Sequence, residues 1–113
     1  MGKSSQRKGR GGERELRDIL REYGYPVECG APQSFGEVPD LVGLPNVHIE
    51  CKRQEKLNIA EAVAQAVRDS ERFKDGAPVV FHRRNRQPWL VTMLLSDWVQ
   101  MYREGNDGDH KPG

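Results

Sequence analysis

Two carboxylates and a lysine around one short turn are the residues of this chain best placed to do chemistry. They lie between Val38 and Arg53, in Val-Pro-Asp-Leu-Val-Gly-Leu-Pro-Asn-Val-His-Ile-Glu-Cys-Lys-Arg. Two β-branched runs flank Gly43, Leu44, Pro45 and Asn46, which is turn chemistry, so the stretch reads as an antiparallel hairpin. A three-residue loop at Leu44 to Asn46 sets Gly43 opposite Val47, Val42 opposite His48, Leu41 opposite Ile49 and Asp40 opposite Glu50. Opposed side chains in such a pair sit roughly 4.5–5.5 Å apart at Cβ, and two carboxylates so placed repel. A divalent cation between them offsets that repulsion. Alternation puts His48, Glu50 and Lys52 on one face and Val47, Ile49 and Cys51 on the other. Lys52 stands about 6.6 Å along the strand from Glu50. An ammonium there can orient a metal-bound water and steady charge building on a phosphate. An ordinary exposed polar strand face would also carry Glu and Lys; Pro39-Asp40 at the matching register is what weighs against it.

The elements around the hairpin must position these groups. Leu16, Ile19, Leu20 and Tyr23 recur at helical spacing, so a helix is expected from about Glu13 to a stop at Gly24. Glu13 shares the inward stripe. A carboxylate at that end is either a dipole-stabilised helix residue or part of a site, and the nearby hairpin favours the site. Tyr25 to Cys29 reads as a short strand, followed by a loop over Gly30 to Glu37. Asn58, with Glu61 three residues on, caps a second helix whose small face is Ile59, Ala62, Val63, Ala66, Val67 and Ser70. Gln65 flanks that face and could reach a site, though a solvated helix glutamine is the plainer reading. Gly76 and Pro78 end this helix. Pro78 to Arg83 and Trp89 to Leu94 make a second hairpin with a basic tip. Ser96 is expected to cap a last short helix with Trp98, Val99 and Tyr102 facing inward.

Composition bounds the rest. The chain has 113 residues, 31% of them charged, and a formal net charge of +1. That suits one soluble domain with a modest core. Between Lys3 and Arg14 five basic side chains face Glu13 alone, a basic arm of the kind that meets a polyanion. The expected division is a flexible arm over 1–12, a single domain over 13–104 and a flexible tail over 105–113. Cys29 and Cys51 lack metal or disulfide spacing and read as small core residues of a reducing compartment. No apolar run approaches a membrane span, so no membrane partner is expected and the location is read as intracellular, in the cytoplasm.

Asp40 followed by Glu50-Cys51-Lys52, on the central hairpin of an αβββαβ order, resembles the PD-(D/E)xK nuclease core. Lys8-Gly9 with Glu13-Arg14-Glu15-Leu16 is similar to the signature of archaeal-type Holliday junction resolvases. Ala31-Pro32-Gln33-Ser34 resembles the loop in which those enzymes carry an active-site serine. The likeness covers roughly residues 7 to 83. It implies a restriction-endonuclease-like fold, α/β, with a mixed sheet flanked by helices, and a metal-dependent endonuclease acting on branched DNA as a homodimer. Glu13, Asp40 and Glu50 would hold or orient the metals, Lys52 would serve the attacking water and Ser34 would assist at the phosphate. Cys29-Gly30 departs from the family, which tends to have an arginine before the Ala-Pro loop, and the short chain beyond the second helix looks more like compact phage or prophage relatives.

Oxygen ligands suit Mg²⁺ or Mn²⁺, and the Cys51 carbonyl can add one. His48 is on the correct face but deeper than Glu50, and reads first as a packed or hydrogen-bonded core histidine. Lys3, Arg7, Lys8 and Arg10 on the arm, Arg53, and Arg83, Arg84 and Arg86 at the tip are the expected phosphate contacts. The dimer is expected to use the second hairpin and last helix, with Phe35, Phe81, Trp89, Met93, Trp98 and Tyr102 as apolar candidates. Two alternatives stay open: a general phage nuclease or nickase on the same core without junction preference, and a non-catalytic DNA-binding module.

Overall fold

In a computed structural model the backbone is described for residues 2–30 and 39–109, and the side chains for 11–30 and 39–106. Ser34, Phe35, the Ala-Pro loop, and the side chains of Lys3, Arg7, Lys8 and Arg10 lie outside the described residues. The elements run α1 (Gly2–Glu22), β1 (Glu28–Cys29), β2 (Leu41–Val42), β3 (Val47–Arg53), α2 (Ile59–Phe73), β4 (Ala77–Arg83), β5 (Leu90–Met93) and α3 (Leu95–Asp109). The five strands form one mixed sheet in the order β1-β2-β3-β4-β5. β3 pairs antiparallel with β2 and parallel with β4, and β4 pairs antiparallel with β5. The parallel step requires a crossover, which α2 supplies.

β3 is the spine, and its alternation assigns the two helices. Ile49 and the half-buried Cys51 belong to one core with Leu16 of α1, Val27 and Leu41. On the opposite face Ala62 and Ala66 of α2 close on Val80, which pairs with Glu50. The alanines allow that close approach, and Asn58 caps α2 by accepting from the Glu61 N–H at 3.1 Å. Both cysteines are free and packed at the first core, as their spacing suggested. No described helix is long and apolar enough to cross a membrane.

Several boundaries differ from expectation. The first helix begins at Gly2, not around Glu13. Extending a helix already nucleated adds a hydrogen bond for each residue fixed, and no proline interrupts Gly2 to Gly12. The glycines that make this segment look irregular each cost only about 1 kcal/mol in a helix. Gly12 has a specific reason to be there: it is buried, and a Cβ on it would lie 2.5 Å from Arg53 Cβ. The helix does stop where predicted. Gly24 takes φ +99°, and the Tyr25 N–H reaches back to Leu20 O at 3.1 Å.

Tyr23, expected inward, is 76% exposed because the core ends one turn earlier at Leu20. The first strand is only Glu28–Cys29, since Tyr25 to Val27 is spent on the turn out of α1. The last helix starts at Leu95, with the Trp98 N–H bonded to Leu94 O, so Ser96 lies inside the first turn and does not cap it. It continues to Asp109, across part of the expected tail, and Trp98 and Tyr102 stack on each other in the open at 49% and 58% exposure. Their inward placement presumed a sheet surface under α3; this helix makes only sparse contact with the other elements.

Candidate active site

The β2–β3 hairpin has the expected register: Leu41 pairs with Ile49, so Asp40 enters opposite Glu50. His48, Glu50 and Lys52 share the face turned toward α2. Lys52 Nζ lies 3.8 Å from Glu50 Oε2, and His48 Nε2 lies 3.2 Å from Glu50 Oε1. Glu50 is 5% exposed and His48 2%, so both are interior groups. Asp40 sits at the rim, still reached by solvent. Crowding nonetheless pushes its pKa above the ordinary value, through desolvation first and then the Glu50 charge; Lys52 and His48 pull it back. Two carboxylates are thus held together against their own repulsion.

Asp40 joins two cavities. A cleft of about 760 Å³ brings Glu13 and Asp40 together with Lys52, Arg53 and Glu15. A smaller one of about 280 Å³ brings Asp40 to His48, Glu50, Gln65 and Asp69. Glu13 is half-buried, and Lys52 keeps its head at the cleft. Glu50 lines the smaller cavity, so the four expected residues converge through Asp40 and do not share one wall. The Cys51 side chain points into the α1 core. Burial, then the negative charges of Glu13, Asp40, Glu50 and Glu15, push its thiol up to about 12, which leaves it a protonated, unreactive core group.

Two features went beyond the sequence reading. Asp69 is one: with His48 and Glu50 it offers donor atoms all within 4.8 Å of one another. The signal was available, since Asp69 is four residues after Gln65, one turn along the same helix face. Asp75 is the other. It accepts from His48 Nδ1, at 2.8 Å to Oδ2 and 3.0 Å to Oδ1, from a turn after α2 that no local pattern links to β3. Burial opposes a charge on His48, but the hydrogen bonds to Glu50 and Asp75 outweigh it and raise its pKa.

The basic residues divide. Arg84 and Arg86 are exposed at the tip. Arg83 and Arg53 are instead tied to Glu15 of α1. Arg83 Nη1 bonds Glu15 Oε1, which also accepts from Trp89 Nε1 at 2.9 Å, while Arg53 Nε lies 3.8 Å from Oε2. Burial raises the Glu15 pKa, but the bonds from Arg83 and Trp89 and the two arginine charges bring it below the ordinary value.

A mixed sheet with its acidic residues and lysine on the central hairpin, flanked by helices, is the restriction-endonuclease-like α/β architecture. Residues 4–110 match the family model described as "Phage putative PDDEXK endonuclease", and the chain belongs to that nuclease family. Among solved structures it is similar to Hjc, a Holliday junction resolvase from the archaeal hyperthermophile Archaeoglobus fulgidus. That likeness has a TM-score of 0.57 and 25% identity, over 76% of this chain and 72% of the other. No curated protein matches the chain.

Proposed function

We propose that the chain is a divalent-metal-dependent endodeoxyribonuclease that hydrolyses phosphodiester bonds in branched DNA, working as a homodimer. The observation that carries the reading is the hairpin register, which forces Asp40 against the buried Glu50 beside Lys52. Such a donor set fits Mg²⁺ or Mn²⁺, with the Cys51 carbonyl and Glu13 as further oxygen ligands. When bound, the dication supplies Lewis acidity toward a phosphate oxygen and acidifies water. The residues supply the rest. Glu50 anchors the Lys52 ammonium, which orients the attacking water and offsets charge on the phosphate. Glu13 closes the same cleft from the α1 side, and Ser34 assists at the phosphate.

Lys3, Arg7, Lys8 and Arg10 with Arg84 and Arg86 position the DNA through phosphates. Junction preference is supported by the likeness to the archaeal resolvase, and resolving a four-way junction takes two incisions on opposed strands, hence two sites. Homodimerisation is supported by the exposed apolar side chains of β5 and α3, among them Leu90, Val91, Leu95, Trp98, Met101 and Tyr102. Phe81, Trp89 and Met93 are half-buried, and the first two pack at the chain's own core, which leaves Trp98 and Tyr102 as the aromatic contacts among the expected candidates that fall in the described residues. The commitment of Arg53 and Arg83 to Glu15 favours a second reading, a nuclease or nickase without junction preference, because it neutralises two of the arginines expected to contact phosphates. Cleavage of four-way junction, flap, nicked and linear duplexes of matched sequence in Mg²⁺ tests both. Paired, symmetric cuts in the junction substrate support the first reading. Equal nicking of all four would leave the general nuclease, and no cleavage of any would contradict both.

A further inference from the structure

We propose a second cation site beneath the first, formed by His48 Nε2, Glu50 and Asp69 and suited to a transition dication of the zinc class. It shares Glu50 with the proposed nuclease site but needs neither Asp40 nor Lys52.

The imidazole is already held as a ligand would be. The Asp75 carboxylate can only accept, so Nδ1 carries the hydrogen between them, and the Phe73 ring stacks over the imidazole face at 6.2 Å and 14°. A carboxylate behind the far nitrogen is the usual way a metal-binding histidine is oriented and made more basic. Nε2 then faces Glu50 Oε1 at 3.2 Å, and Asp69 brings a third donor from α2. A bare imidazole nitrogen and a carboxylate oxygen at that separation repel unless a proton or a cation lies between them. Zinc-class ions bond nitrogen and carboxylate oxygen at about 2.0–2.2 Å, and tetrahedral ligands at such distances stand roughly 3.4 Å apart. The observed 3.2 Å is close to that spacing. Asp69 is half-buried at the cavity wall, so a rotamer change closes the third edge. The cavity, about 280 Å³, leaves room for a water as fourth ligand, which takes ~30 Å³.

The donor set also selects the ion. Mg²⁺ prefers oxygen ligands in a regular octahedron and gives up its waters reluctantly, whereas one imidazole with two carboxylates suits zinc-class ions. Occupation of this inner site engages Glu50, so the inner and outer cations are coupled through one side chain.

Co²⁺, a spectroscopic substitute for zinc, tests the site on the full chain. Titration followed by visible d–d absorption is expected to show stoichiometric four-coordinate binding reversed by Zn²⁺, together with paramagnetic shifting of the His48 imidazole protons. Asp69→Asn and His48→Gln remove the absorption. Asp75→Asn keeps it but weakens Co²⁺ binding by about 10–100-fold. Asp40→Asn keeps the four-coordinate absorption, because Asp40 lines the cavity but supplies none of the three donors, which separates this site from the proposed nuclease centre, whose own failure would read out as absent cleavage in Mg²⁺. Asp69 is on the half-exposed face of α2, so its variant stays informative if His48→Gln does not fold. Absorption that survives Asp69→Asn, a thiolate charge-transfer band from Cys29 or Cys51, or His48 protons unmoved by Co²⁺ would overturn the proposal.

Discussion

Replacing Glu15 should weaken the fold and strengthen non-specific DNA binding at the same time. Its carboxylate ties α1 to both Arg53 of β3 and the Arg83–Trp89 base of the second hairpin. Hydrogen bonds to charged groups contribute about 1.5–3 kcal/mol. Glu15 keeps 32% of its side chain in solvent, so screening holds the cost of Glu15→Ala to about 2 kcal/mol. That lowers the thermal midpoint by roughly 8 °C for a domain of this size. Glu15→Gln keeps an acceptor for Trp89 Nε1 and loses the charge, so about half the effect is expected. The pH dependence has a definite sign. The folded-state pKa of Glu15 is depressed, so its stabilisation is fully present above the usual value of 4.5 and is lost as pH falls through the lower folded value. The gap between wild type and Glu15→Gln in urea unfolding should therefore close on acidification. Freed from Glu15, Arg53 and Arg83 become available to phosphates, and the slope of log K against log salt steepens by up to about 1.8 on duplex DNA. A Glu15→Ala variant within about 0.5 kcal/mol of wild type, or with an unchanged salt slope, would refute the idea that Glu15 holds these arginines.

Two further outcomes follow from the same geometry. Gly12→Ala places a Cβ against Arg53 Cβ where α1 crosses β3, and overpacking of this kind costs about 1–3 kcal/mol by urea unfolding; an unchanged midpoint would mean that α1 does not approach β3 so closely. Sedimentation at micromolar concentration should give a dimer, and Leu95→Glu or Trp98→Glu on the exposed α3 face should give a folded monomer; a wild-type monomer that cuts junctions in pairs would place dimerisation on the DNA.

The central hairpin was legible because its information is local. A turn of fixed length sets the register, strict alternation sets the faces, and so Leu41 against Ile49 and Asp40 near Glu50 could be read from sixteen consecutive residues. The Asn58 cap and the alanine face of α2 were legible for the same reason. What depended on distant chain was not. Gly11 and Gly12 read as a loose arm, because only the approach of Arg53 explains a glycine at 12 in a helix. Trp98 and Tyr102 have the spacing of a buried stripe, but periodicity reports that a face is apolar and not what covers it. Asp75 meets His48 only because the parallel β3–β4 pairing folds the end of α2 back over the sheet, a contact with no local signature. Arg83 looked like a free basic tip until its partner, 68 residues earlier, was in place.

The assignment of β3 as the catalytic strand is tested most directly at Lys52, whose ammonium lies 3.8 Å from Glu50 at the edge of the acidic cleft. Single-turnover cleavage of a four-way junction in Mg²⁺ should fall by about 10²–10³ in Lys52→Ala, the usual loss for one preorganised donor. Junction affinity and unfolding midpoint should stay near wild type. Cleavage by Lys52→Ala at the wild-type rate would contradict the account.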